Sequence, residues 1–305
     1  ITDLLRNKYG YDGVACTDWL VTGDETSLDV FITGKSWGVE KMSLAERHYK
    51  VLMAGVDQFG GNNDAGPVLE AYQMGVKELG EDKMRARFEQ SALRLLRNIF
   101  RTGLFENPYL DPAVSKQVVG SPDKMKAGYD AQLKSVVMLK NKNNALPLKK
   151  GIKVYVPKKF TPAGVNFLGQ PTPESNEYPV NIDIVKKFFE VADKPEEADA
   201  ALVFIASPNS GNGYNSADAK KGGNGYVPIS LQYGAYTATY ARDPSIAGGD
   251  PFEKFTNRTY RGKKSQAINS TDLGMVTATA AKMKGKPVIV SVNVSNPMVF
   301  AEFEK

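Results

Sequence analysis

The sequence holds one cysteine and one histidine in 305 residues. A single cysteine excludes an intrachain disulfide and any cysteine-built zinc site. A single histidine leaves no room for a histidine metal cluster, so neither a metal nor a cofactor is expected. No apolar run approaches the ~18 residues that a membrane-spanning helix needs, and no membrane partner is expected. Basic residues outnumber acidic ones, 39 to 34, for a net charge of +5. These charges are scattered and form no dense Arg/Lys stripe of the kind nucleic-acid binders carry. We therefore read the surplus as solubility and expect no nucleic-acid partner. Repeats and low-complexity tracts are absent too, and the 28 Gly and 17 Pro follow no fixed period, which excludes a collagen.

What is there fits a folded α/β chain. Hydrophobic residues make up 42% and charged residues 24%, ordinary values for a globular protein of one large or two medium domains. Residue 1 is not Met, and 1–9 reads as the end of an amphipathic helix with Ile1, Leu4 and Leu5 on one face. The far end stops just past an apolar strand. The expectation is a segment of a longer chain, with any targeting signal outside it.

Along the chain, 11–19 is small and β-branched and reads as a buried strand that contains Cys16, itself read as a small buried hydrophobe. Ser43 and Glu46 have capping-box spacing, so a helix opens there and runs to Gly55. The single His48 falls inside that helix and reads as a helix-surface or packing residue. A short strand is expected at 56–59, then a Gly60-Gly61 turn and a helix from Pro67 to near Gly80. A further helix follows, with Met84, Phe88, Leu95, Leu96, Ile99 and Phe100 on one stripe, closed by Gly103. The Pro-bearing stretch 107–120 has no period and marks a domain crossing. Beyond it we expect a helix at 125–135, strands at 136–139, 152–156, 200–206 and 287–294, and helices at 181–191 and 271–284. Long loops fill 207–225 and 242–270. Alternating strands and helices imply a mostly parallel sheet.

Asp18 stands at the carboxyl end of the first strand, beside Trp19. Catalytic groups of parallel α/β barrels sit at that end of the strands. An indole next to a carboxylate suits a sugar: the ring covers C–H faces, and the carboxylate bonds hydroxyls or attacks the anomeric carbon. A helix-capping Asp is the alternative reading. In the 207–225 loop, Gly211 and Gly213 are followed by Ser216 where G-x-G-x-x-G needs its third glycine, so a dinucleotide site is not indicated.

Six segments together resemble glycoside hydrolase family 3. LLRNKYGYDGVACTDW (4–19) resembles the stretch ending in that family's nucleophile, and AGVDQFGGNND (54–64) the strand and loop after it. ALRLLRNIFRTGLFENPY (92–109) resembles the last barrel helix and its exit, and SVVMLKNKNNALPL (135–148) the entry to the second domain. ADAALVFIA (198–206) and PVIVSVNVSNPMV (287–299) resemble core strands of that domain. The resemblance implies the C-terminal part of a (β/α)8 barrel at 1–106, a linker and crossing helix at 107–134, and an α/β sandwich domain with a mostly parallel sheet at 135–305. It also implies a periplasmic or secreted enzyme, with an oligo- or aryl β-glycoside as substrate and a homo-oligomer allowed for. Its reaction is retaining, exo-acting β-glycoside hydrolysis, as in a β-glucosidase.

Carried over by position, Asp18 is the nucleophile and Trp19 shapes the sugar subsite. Asp57 lies near the sugar or serves structure, and Trp37 is a substrate platform or a loop anchor. The acid/base does not carry over, because the 207–225 loop has no Glu. Asp218 is one candidate and Glu253, in GGDPFEK, the other; a group outside this chain is the third option. A barrel takes roughly 250 residues, far more than 1–106 supplies, so this chain alone is expected to be inactive. The competing reading is a non-catalytic sugar-binding or scaffold relative that has lost the acid/base.

Overall fold

The computed structural model describes residues 1–25, 33–166, 168–241 and 259–304. They divide into two units, Ile1–Asn141 and Lys142–Lys305. The expected crossing at 107–134 goes with the first of these.

The first unit opens with Thr2–Lys8, wound as a π-helix rather than an α-helix. The strands expected at 11–19 and 56–59 shrink to one parallel bridge between Cys16 and Gln58. Around it, Asp57 N–H donates to Ala15 O (2.8 Å), Thr17 N–H to Gln58 O (3.0 Å) and Leu20 N–H to Gly60 O (2.9 Å). The two segments thus run side by side in the same direction, but an isolated pair is marginal without further strands. Cys16 is exposed, contrary to its expected burial.

Helix α1 (Leu44–Met53) starts at the expected box: Ser43 Oγ accepts from Glu46 N–H, and Glu46 Oε2 accepts from Ser43 N–H. Helix α2 (Gly66–Leu79) has Pro67 in its first turn. Gly80, at φ +91°, turns the chain into α3 (Glu81–Arg101). The α2–α3 contact is close: a Cβ on Gly75 would lie 2.3 Å from the sulfur of buried Met84. Along the α3 stripe Met84 is buried and Phe88, Leu95 and Ile99 are half-buried, while Leu96 and Phe100 are exposed. Asp111 caps α4 (Pro112–Val118), and α5 (Pro122–Ser135) follows. The strand expected at 136–139 is not formed; Val136 to Leu139 are exposed and make no ladder among the described residues.

The second unit is a four-stranded parallel sheet. Its members are β1 (Lys153–Tyr155), β6 (Glu190–Ala192), β7 (Ala200–Ala206) and β10 (Val288–Asn293), in the order β10-β7-β1-β6. Between them lie two antiparallel pairs, β2 (Lys159–Thr161) with β5 (Ser175–Glu177) and β3 (Gly164–Val165) with β4 (Pro171–Thr172). A third pair joins β8 (Tyr236–Thr237) to β9 (Lys264–Ser265). Strand β7 is apolar throughout because it is sandwiched on both faces. Ala201, Val203 and Ile205 pack on Val276 and Met283 of α8 (Thr271–Met283). Leu202 and Phe204 point the other way, toward Val154, Val156 and Val185.

The helix expected at 181–191 stops after one turn, α6 (Ile182–Val185). Its continuation becomes β6, registered Lys153↔Glu190 to Tyr155↔Ala192 on β1. The strand order reverses between β1 and β7, the kind of switch point outside whose carboxyl ends ligands of doubly wound sheets bind. The loop after β7 contains one short helix, α7 (Ser216–Lys220).

Candidate active site

Asp18 and Trp19 close the first unit's parallel pair at its carboxyl end. The Asp18 carboxylate is exposed, and its Oδ1 accepts from the Trp19 N–H (2.6 Å). Beneath this turn lies Gly60-Gly61. Gly60 N–H donates to Thr17 Oγ1 (2.8 Å), and a Cβ on Gly60 would lie 2.7 Å from Thr17 O. A Cβ on Gly61, which sits at φ +71°, would lie 2.7 Å from the Trp19 ring. The two glycines and Thr17 thus support the Asp18–Trp19 turn. Sequence reasoning placed a turn at Gly60-Gly61 but not its fit under the indole; the adjacent pair after a strand was the available signal.

Asp57, on the neighbouring segment, has a different environment. Its side chain is 0% exposed and accepts four hydrogen bonds. Oδ2 takes Arg6 Nη2 (2.6 Å) and Ala15 N–H (3.0 Å); Oδ1 takes Ser91 Oγ (2.7 Å) and Arg94 Nη1 (2.9 Å). Arg87 adds a more distant charge at 3.8 Å. Burial by itself would raise this carboxyl's pKa. The bonds from Ser91, Ala15 and Arg94 and the charge of Arg6 together outweigh it and hold the group below its ordinary range. With all four donors coming from the protein, Asp57 is built into the structure.

Trp37 is half-buried, donates its indole N–H to Glu25 Oε1 (3.2 Å), and has Lys35 Nζ over its ring at 5.7 Å. Both contacts hold Trp37 to its own loop. His48 is 1% exposed, stacks on Phe59 at 4.4 Å and bonds Leu44 O through Nδ1, as expected of a packing residue.

In the second unit Asp218 lies in the short helix α7. Its Oδ2 accepts from Lys263 Nζ (2.7 Å) and Gly225 N–H (2.9 Å). The bond from Lys263 is the main cause of a lowered pKa; partial burial opposes it, and Gly225 adds to it. A proton donor must be held protonated near working pH; the Lys263 bond acts in the opposite direction on Asp218, one of the expected acid/base candidates. The signal lay 45 residues away. The alternative, Glu253, lies outside the described residues.

The carboxyl end of β7 carries a cluster that the sequence did not single out. Asp272, in the first turn of α8, is 1% exposed. It meets Lys159 Nζ at 2.7 Å through Oδ1, and its Oδ2 accepts from Ala206 N–H (3.1 Å) and Asn269 Nδ2 (3.2 Å). Tyr233, 0% exposed, donates its hydroxyl to Ala206 O (2.5 Å). Its phenol is pushed up, first by burial and then by Asp272 and Glu302.

No family model matches the chain. A periplasmic β-glucosidase/β-xylosidase of Dickeya chrysanthemi is 42% identical over 165 residues, covering 51% of this chain and 24% of that protein. A probable β-glucosidase C of Aspergillus flavus is 35% identical over 210 residues, covering 68% of this chain and 29% of that one. Among solved structures, a β-glucosidase from Listeria innocua in complex with gluconolactone superposes with a TM-score of 0.51 at 16% identity. That match covers 95% of this chain and 34% of the other and concerns the fold alone. The chain is therefore an α/β relative of the glycoside hydrolases. It is β-glucosidase-like and fits a partial protein of the family 3 type, spanning about a quarter of the length of the curated relatives it matches.

Proposed function

We propose that this chain is part of a retaining, exo-acting β-glycosidase in which Asp18 is the nucleophile. The finer fold proposal goes with it: 1–106 closes a (β/α)8 barrel, and 135–305 forms the sandwich domain beside it. The observation that carries the reading is the exposed Asp18 carboxylate at the carboxyl end of a parallel pair, with Trp19 next in chain. In the proposed reaction a carboxylate oxygen of Asp18 bonds the anomeric carbon. The glycosidic C–O bond breaks, and the leaving oxygen takes a proton from a second carboxyl group. Water, deprotonated by that same group, then attacks the anomeric carbon and frees Asp18. Such a pair stands about 5–5.5 Å apart.

The candidates for the proton donor are Asp218, Glu253 and a residue beyond this chain, and the Lys263 bond that lowers the Asp218 pKa favours the latter two. The relatives' names support a β-glucoside or β-xyloside as substrate, and a periplasmic or secreted location. Taken alone, the chain lacks the remaining sugar-holding strands of a barrel and is expected to be inactive.

The test is a 2-deoxy-2-fluoroglycosyl fluoride applied to the whole protein, read by peptide mass. The expected adduct is on Asp18, and Asp18→Asn abolishes it because an amide does not attack an anomeric carbon. An adduct elsewhere, or near-parental turnover in Asp18→Asn, refutes the assignment.

A further inference from the structure

We infer that Asp57 is a positioning residue for Asp18: it clamps the backbone of the segment that carries the nucleophile. The inference rests on the proposed role of Asp18. Ala15, three residues before Asp18, is held by Asp57 through both of its backbone groups. Its N–H donates to the Asp57 carboxylate (3.0 Å), and its C=O accepts from the Asp57 N–H (2.8 Å). Arg6, which donates to the same carboxylate, also bonds Tyr11 O and Gly13 O (3.3 and 3.1 Å), so the incoming chain is held as well. Beyond Ala15, Thr17 is held by Gln58 O and Gly60 N–H. Hydrogen bonds thus run unbroken from the Arg6–Asp57 pair to the Asp18 turn.

The clamp has a consequence for chemistry. Successive side chains of an extended segment point to opposite faces, so a one-residue slip would turn Asp18 away from its face. With a single parallel neighbour among the described residues, the segment has few ladder bonds to resist a slip. The Asp57 carboxylate supplies an extra one. It is immobile because Ser91 and Arg94, both on α3, bond its other oxygen. An apolar residue at 57 could fill the space but could not accept the Ala15 N–H.

A purely structural Asp57 and a positioning Asp57 differ in what they change. The first affects how much protein is folded; the second affects the attack rate per folded molecule. The experiment uses the whole protein and 2-deoxy-2-fluoroglucosyl fluoride, with inactivation rate and inhibitor affinity measured separately on folded enzyme. In Asp57→Asn the inactivation rate constant is expected to fall ~10–100-fold, the scale of a misplaced reacting group, with inhibitor affinity unchanged and the residual adduct still on Asp18. Ser91→Ala is the gentler variant, to be read if Asp57→Asn does not fold. It loosens one oxygen and is expected to slow inactivation about threefold, the size of one modest hydrogen bond. A folded Asp57→Asn, or in its absence a folded Ser91→Ala, that inactivates at the parental rate overturns the inference while leaving the nucleophile assignment intact. A parent labelled elsewhere than Asp18 overturns both.

Discussion

The ion pair between Asp272 and Lys159 ties three elements of the second unit. Lys159 opens β2, Ala206 ends β7, and Asp272 lies in the first turn of α8. Replacing Asp272 by Ala removes the carboxylate that accepts the Ala206 N–H and faces Lys159. An orphaned buried donor costs ~1–3 kcal/mol, and an acidic group at a helix N-terminus contributes ~0.3–1 kcal/mol. Breaking a buried pair costs ~3–5 kcal/mol. The Lys159 side chain is 28% exposed, however, so water takes up part of its charge and the loss moves below that range. We expect Asp272→Ala to destabilise the second unit by about 2–3 kcal/mol. Lys159→Met should cost at least as much, because it leaves a carboxylate that is 1% exposed without its cation. The double variant should lose less than the sum of the two, since it removes both halves of one interaction. Urea denaturation of the 305-residue chain, followed by far-ultraviolet circular dichroism, measures all three. Losses below about 0.5 kcal/mol in both single variants, the level of an exposed pair, would refute the reasoning, as would strict additivity.

Two further outcomes follow from the first unit. Gly61→Ala forces a side chain into φ +71° and against the Trp19 ring, so Trp19 should move and its fluorescence shift when read in a Trp37→Phe background; an unchanged spectrum would count against the packing. The folded pKa of Asp57 is depressed below its unfolded value, so its contribution to stability is present above an ordinary carboxylate pKa of about 4 and is lost as pH falls through the folded value. Urea midpoints measured from pH 7 down to pH 3 should fall less steeply in Asp57→Asn than in the parent.

Features encoded by near neighbours could be read from the sequence. Ser43 and Glu46 are three residues apart, and their reciprocal bonds define the start of α1. The unbroken run of β7 announces a strand covered on both faces. What depended on distant partners could not be read. Phe188 to Ala192 has aromatic and β-branched residues that suit helix continuation and strand alike, and pairing with β1 decides for strand over its last three residues. Val136 to Leu139 has strand composition but no ladder among the described residues, and composition alone does not make a strand. In the site, the Asp18–Trp19 pair was legible as a motif at a strand end. The partners of Asp57 lie 34 to 51 residues away in sequence, and no local pattern reveals them.

Asp18 and Asp57 show why a strand-end carboxylate cannot be assigned a role by its position alone. They stand on adjacent parallel segments, and both follow a small or β-branched run. Four donors converge on Asp57, two on each oxygen, and none of its side-chain surface reaches solvent. A lone pair directed at a guanidinium or an amide is not available to form a bond to carbon. Asp218 is restricted in a milder way, with one oxygen shared between Lys263 and Gly225. Asp18 accepts from the N–H of its own neighbour, Trp19, and remains exposed. A nucleophile has to stay ionised and keep an accessible oxygen, while a structural carboxylate is stabilised by having neither oxygen free. Among these three acids that requirement sets Asp57 apart from Asp18 and Asp218. It also explains why the proposed chemistry needs Asp57 to be inert: a clamp that also bonded sugar would move with it.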